Sequence, residues 1–89
     1  MKIKRTGNYY VYIVRCADGT YYTGYTRNLE NRIKEHSNSK RGARYLRGKN
    51  PLKLVYVKEY RYYKRAVVEE KRIKRLTRLQ KEKLVNGKE

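Results

Sequence analysis

Two tyrosine-rich segments on either side of a glycine turn constrain this chain more than any other feature. Asn8 to Cys16 (NYYVYIVRC) and Tyr21 to Tyr25 (YYTGY) are dense in Tyr, Val and Ile, residues that suit a pleated surface, with Ala17-Asp18-Gly19-Thr20 between them. The pattern predicts a β-hairpin. A two-residue Asp18-Gly19 loop would pair Tyr12 with Tyr25 and Arg15 with Tyr22. A three-residue loop, Ala17-Asp18-Gly19 with Gly19 left-handed in a bulge, would instead pair Tyr12 with Gly24 and Val14 with Tyr22. Because side chains alternate along a strand, the first register puts Tyr12 and Tyr22 on opposite faces and the second puts them on one face. The local pattern leaves both open.

Asn28 is placed to cap a helix over Leu29 to His36, in which Leu29 and Ile33 fall four apart with His36 on the same side. Residues 37–50 (SNSKRGARYLRGKN) hold two Gly, five basic side chains and no acid, and read as a basic loop. Pro51 then introduces a third strand, Leu52 to Tyr60. A helical pattern runs from Lys64 to Leu76, and Ala66, Ile73 and Leu76 define a stripe flanked equally by Glu69 and Glu70. Thr77 and Gln80 form a capping-box pattern for a last helix, which Asn86-Gly87 stops. The expected fold is α/β of the α+β kind, a three-stranded antiparallel sheet with helices in the order β-β-α-β-α-α, as one domain over residues 1–89.

In 89 residues the chain has no Phe and no Trp, so 18 Val, Ile and Leu and 11 Tyr must supply most of the core. A chain this short buries only about 60% of its unfolded surface. The formal charge of +17, from 25 Lys and Arg against 8 Asp and Glu, adds self-repulsion that a polyanion would relieve. Residues 1–39 carry a net +4 and residues 40–89 a net +13, so the second half supplies most of the positive field. Basic side chains interleaved with Tyr suit phosphates and stacked bases, which makes nucleic acid the expected partner, DNA ahead of RNA. The pattern offers no membrane span, and the expected location is cytoplasmic. One Cys (Cys16) and one His (His36) exclude an internal disulfide and a Cys/His zinc site within the chain.

Carboxylates are scarce. The single Asp, Asp18, sits beside Gly19 in the turn, so a two-metal nuclease site is not expected. What the composition does allow is one Mg²⁺ or Mn²⁺ on a Glu, with Arg or Lys neutralising a phosphate and Tyr or His handling a proton. Tyr has an ordinary pKa of about 10, so a base role at neutral pH would need neighbouring cations to favour its phenolate.

Tyr10-Val11-Tyr12 and Tyr22-Thr23-Gly24 stand in order as the two triplets of the GIY-YIG endonuclease superfamily. Arg32 follows ten residues after Tyr22, and Ala66-Val67-Val68-Glu69-Glu70 matches the family's Ala-x-x-x-Glu helix. With GARYLRGKNPLKLVY and KRIKRLTRLQKEKLV, the chain resembles the small stand-alone YhbQ/YazA-like branch from about Asn8 to Val85. Tyr10 replaces the first Gly and Thr23 the Ile of the family triplets. The resemblance implies a divalent-metal-dependent DNA endonuclease of low sequence specificity, with DNA repair or recombination as its setting. It assigns Tyr12, Tyr22, Arg32, His36 and Glu70 to catalysis, and one metal ion to Glu70. A shared site for Tyr12 and Tyr22 requires the three-residue hairpin loop.

Lys40, Arg41, Arg44, Arg47, Lys49, Arg72, Arg75 and Arg78 are the expected phosphate contacts. A chain this short has no room for an appended recognition domain, so a protein partner would have to supply specificity. Each assignment has a plainer reading: Tyr12 and His36 as packed core, Arg32 in an ion pair with Glu35, Glu70 paired with Lys74, and the basic residues as a solvated face. Taken together, those plainer readings describe a non-catalytic nucleic-acid-binding domain.

Overall fold

The computed structural model describes residues 8–37 and 44–87, with the Arg44 side chain excepted. The strands are β1 (Tyr9–Arg15), β2 (Tyr21–Thr26) and β3 (Lys53–Tyr60). The helices are α1 (Leu29–Ser37), α2 (Tyr63–Lys74) and α3 (Arg78–Val85), and a single 3₁₀ turn spans Arg44–Leu46. Both pairings are antiparallel, as the sequence predicts, and the sheet order is β2-β1-β3.

The hairpin takes the three-residue loop. Tyr12 faces Gly24 and Val14 faces Tyr22, and Gly19 has φ +86°, where a side chain is disfavoured. The Cys16 amide donates to the Thr20 carbonyl and the Gly19 amide to the Cys16 carbonyl. Asp18 belongs to this turn: its carboxylate accepts from the Thr20 amide and hydroxyl, and these bonds hold its pKa down at about 2. Helix ends also follow the sequence. The Asn28 side chain accepts from the Asn31 amide, Thr77 and Gln80 close a capping box, and Gly87 leaves α3 with φ +74°.

Alternation along β1 builds a core on each face of the sheet. On one face Val11 and Ile13 pack against Ala66 and Ile73 of α2 and Leu84 of α3, with all five buried. On the other, Tyr12, Val14 and Cys16 pack with Leu46, and Leu29 and Ile33 of α1 close over them. The basic loop differs from expectation here. Its 3₁₀ turn drives Leu46 into the core at 1% exposure, so part of the stretch read as solvated anchors the second face.

Candidate active site

Tyr12 and Gly24 explain each other. Tyr12 leaves the middle of β1 at 1% exposure, and its ring lies across the residue opposite it on edge strand β2. A Cβ at Gly24 would sit 2.6 Å from the phenol oxygen and 2.8 Å from Cζ, so only glycine lets that ring reach the sheet edge. There the hydroxyl meets His36 Nε2 at 2.7 Å. His36 is buried on the inner side of α1, and Arg32, one turn earlier, lies close enough to the same phenol for its charge to favour the phenolate. Tyr22, on the same sheet face, sets its ring edge-on to His36 with centroids 5.4 Å apart.

Burial pushes the Tyr12 pKa up to about 12, reinforced by Tyr22 and Glu70 and opposed by Arg32. Burial therefore outweighs the cations, and the condition for a free phenolate base is not met: Tyr12 is a neutral phenol at neutral pH. His36 is pushed below its ordinary value, first by burial and then by Arg32, so the imidazole is neutral too. Arg32 keeps its charge, held by Glu35 Oε1 at 2.8 Å.

The structure separates the two glutamates that helical periodicity could not. Glu70 is buried at 8% exposure, and its charge is felt by Tyr12 and by Tyr25 of β2. Glu69 points to a different groove, where Arg72 grips it with two hydrogen bonds of 2.7 and 3.0 Å and lowers its pKa. Glu70 is met by Lys74 Nζ at 2.9 Å. Among the described residues no three His, Cys, Asp or Glu side chains gather as a metal site. A single carboxylate still fits Mg²⁺, which keeps most of its water and takes one or two protein carboxylates beside substrate phosphate.

The expected basic contacts do not form one group. Lys49 lies beside the site, its ammonium 3.8 Å over the Tyr45 ring and 3.3 Å from Asp18. Arg78 reaches the hairpin, over the Tyr21 ring, while ion-paired with Glu82. Arg72 and Arg75 line a groove with Val68, Lys71 and Leu76 instead. Arg47 is exposed, and Lys40, Arg41 and the Arg44 side chain lie outside the described residues.

Several contributors carry no sequence signal. Tyr45 stacks on Tyr22 at 5.9 Å, and with Tyr21, Thr23, Lys74 and Lys81 the pair lines a hollow of about 300 Å³ at the β2 edge. These residues come from four separate elements, so no periodicity links them. The Thr23 hydroxyl is buried without a hydrogen-bond partner among the described residues.

The family model for the GIY-YIG catalytic domain matches residues 8–83. The chain belongs to the GIY-YIG family. This is a nuclease family, and its two motif strands are the hairpin that brings Tyr12 over Gly24. Among GIY-YIG relatives, UPF0213 protein OB0043 of Oceanobacillus iheyensis is 48% identical over 81 residues, covering 91% of this chain and 93% of that protein. UPF0213 protein CPE1444 of Clostridium perfringens is 49% identical over 79 residues, covering 89% and 84%. Two solution NMR structures share the fold. The UPF0213 protein BH0048 from Bacillus halodurans has TM-score 0.61 at 44% identity, with 92% of this chain and 86% of that one aligned. The protein EF2693 from E. faecalis has TM-score 0.66 at 33% identity, with 96% and 90% aligned. No helix among the described residues is long and apolar enough to cross a membrane.

Proposed function

We propose that this chain is a one-domain, divalent-metal-dependent endonuclease that hydrolyses DNA phosphodiester bonds with low intrinsic sequence specificity. The observation that carries the reading is the 2.7 Å contact between a buried neutral phenol and a buried neutral imidazole. Donating its proton to His36 Nε2 lets the Tyr12 oxygen accept one from an attacking water, so the pair moves a proton without Tyr12 first becoming a free phenolate. Tyr22 orients that water, and Arg32 donates to the phosphate as negative charge grows on it. Glu70 would hold the single Mg²⁺ or Mn²⁺, which when bound supplies positive charge to the phosphate and the leaving oxygen. Lys49 and Arg78 grip the flanking backbone by charge, without reading bases. A cytoplasmic setting, a role in DNA repair or recombination and a protein partner for specificity complete the proposal.

A nicking assay on plasmid DNA with metal varied tests it. Wild-type protein is expected to nick only with Mg²⁺ or Mn²⁺, and Glu70→Ala and Arg32→Ala to lose nicking while still binding DNA. Cleavage by both variants at the wild-type rate refutes the assignment. The Lys74 ammonium on Glu70 favours a second reading, a nucleic-acid-binding domain whose carboxylate is occupied by its own chain. That reading expects salt-sensitive binding with no cleavage under any metal condition.

A further inference from the structure

Antiparallel connectivity brings the start of β1 and the ends of β2 and β3 to one end of the sheet, where α2 begins, and tyrosines from all four collect there. Tyr63 makes edge contacts with Tyr9 at 5.6 Å and Tyr25 at 5.9 Å. Tyr62 precedes it, with no hydrogen bond or ring contact from its side chain among the described residues. Tyr9 rests with one side on the apolar core, but the other three are not filling it: Tyr25 is 37%, Tyr63 53% and Tyr62 61% exposed. Cations frame them. Arg27 lies 5.3 Å over the Tyr9 ring, and Arg61, Lys64 and Arg65 are exposed alongside. An open groove of about 390 Å³ lined by Tyr60, Lys64, Arg65, Val68 and Glu69 continues from this end of α2, and its acid, Glu69, is already neutralised by Arg72.

We propose that Tyr9, Tyr25, Tyr62 and Tyr63 form a stacking platform for unpaired bases, with the surrounding Arg and Lys side chains holding the connecting phosphates. A duplex hides its base faces, whereas a single strand offers them, so exposed aromatic rings within a cationic rim select single-stranded segments. Tyr25 directly follows Gly24 along β2 on the opposite face, so the platform and the Tyr12 site share one strand edge. The unpaired strand would then lie next to the cleaved bond. The inference rests on the nucleic-acid reading above and sharpens its substrate class to DNA with an unpaired segment.

The test is binding of the full chain, by fluorescence anisotropy with a chelator present, to a labelled oligothymidylate, to a duplex of the same length and to an abasic strand of the same length. Tyr63→Ala and Tyr62→Ala are each expected to weaken oligothymidylate binding about tenfold and duplex binding less than about twofold. Tyr63→Phe keeps wild-type affinity. The abasic strand binds wild-type protein about tenfold more weakly than oligothymidylate, with no further loss in Tyr63→Ala. Equal losses on all three probes, or no loss from Tyr62→Ala, overturn the platform. Tyr62→Ala removes no contact seen among the described residues, so its result does not hinge on folding. Because the chelator suppresses cleavage, the platform stands or falls separately from the nuclease reading: a protein that never nicks but shows this pattern keeps the platform and loses the catalytic assignment.

Discussion

The two faces of the sheet use the same strand to opposite ends. On the α2 side, β1 contributes Val11 and Ile13 to an apolar core with Ala66 and Ile73, all fully buried. On the α1 side the intervening Tyr12 is buried just as deeply, yet its hydroxyl is spent on His36, and Arg32 stands beside it. One residue of phase along β1 therefore separates the side that holds the fold from the side to which the proposed chemistry is assigned. Buried polar groups weaken a core unless they are paired, and on the second face the phenol and imidazole meet that condition by pairing with each other.

Cutting the apolar face should give the largest effect on stability and the smallest on chemistry. Ile73→Ala leaves a cavity against Val11 and Ile13 and is expected to cost about 2–5 kcal/mol, a large share of what a domain this small possesses. Urea unfolding measures that loss. Nicking per folded molecule, assayed well below the melting point, should not change. A proportional loss of activity would show that the two faces are not separable.

Gly24 joins the faces, and replacing it should damage both properties. In Gly24→Ala the new methyl carbon would sit 2.6 Å from the Tyr12 oxygen, so the ring must swing away from His36. Overpacking of this kind costs about 1–3 kcal/mol. Nicking should fall by more than about a hundredfold as the proton path breaks. Gly48→Ala is the control: its Cβ would meet nothing within 4 Å, so only the penalty of its φ of +75° applies, about 1 kcal/mol, with activity kept. Similar activity losses in the two variants would remove the proposed role of the Tyr12 to Gly24 crossing.

How much of this was legible in the sequence depends on how far apart the interacting residues lie along the chain. The hairpin itself was legible, because Asp18 and Gly19 define a local turn, but the turn alone left two registers open and only the shared site that the resemblance implies for Tyr12 and Tyr22 chose the three-residue loop. Capping by Asn28 and by Thr77 with Gln80 was legible because it too is local. Leu46 was not, since a single apolar residue among Arg44, Arg47 and Lys49 has no periodicity to mark it as buried. Glu69 and Glu70 flank one stripe on the wheel, and only the actual tilt of α2 on the sheet turns Glu70 inward. The protonation of Tyr12 was not legible, because counting cations says nothing of burial, which is the larger influence.

Thr23 is the polar exception within the motif hairpin. It pairs with Ile13 at 3% exposure, and its hydroxyl has no partner among the described residues. Thr23→Val keeps the shape and removes the orphaned oxygen, so it should stabilise by about 1 kcal/mol and raise Tm by about 4–8 °C. Calorimetry checks this. If Thr23→Val instead lowers both nicking and DNA affinity at unchanged Tm, the hydroxyl belongs to the site rather than to the core.

The smallest effect lies in the pH dependence of stability, and the buried polar pair fixes its sign. In the folded protein His36 has a pKa below the unfolded value of about 6.5, because burial and Arg32 disfavour the imidazolium. Between the two values the unfolded chain binds more protons, so stability rises with pH across that window and is lost as pH falls below about 6.5 toward the folded pKa. Tyr12 acts in the opposite direction and far from neutrality. Its folded pKa of about 12 exceeds the unfolded value of about 10, so its contribution is complete below pH 10 and disappears as pH rises toward 12. On the apolar face Tyr60 is also pushed above its ordinary value by burial, so it adds to the alkaline window, while the window near neutrality belongs to His36. Melting followed from pH 8 to 5 should therefore show a downward slope in wild type that flattens in His36→Gln, which retains a hydrogen-bonding side chain but cannot titrate. Tyr12→Phe should leave the slope in place, since burial and Arg32 remain. An unchanged slope in His36→Gln would mean that the acid loss comes from the surface carboxylate pairs, and the contrast between the two faces would then not extend to pH.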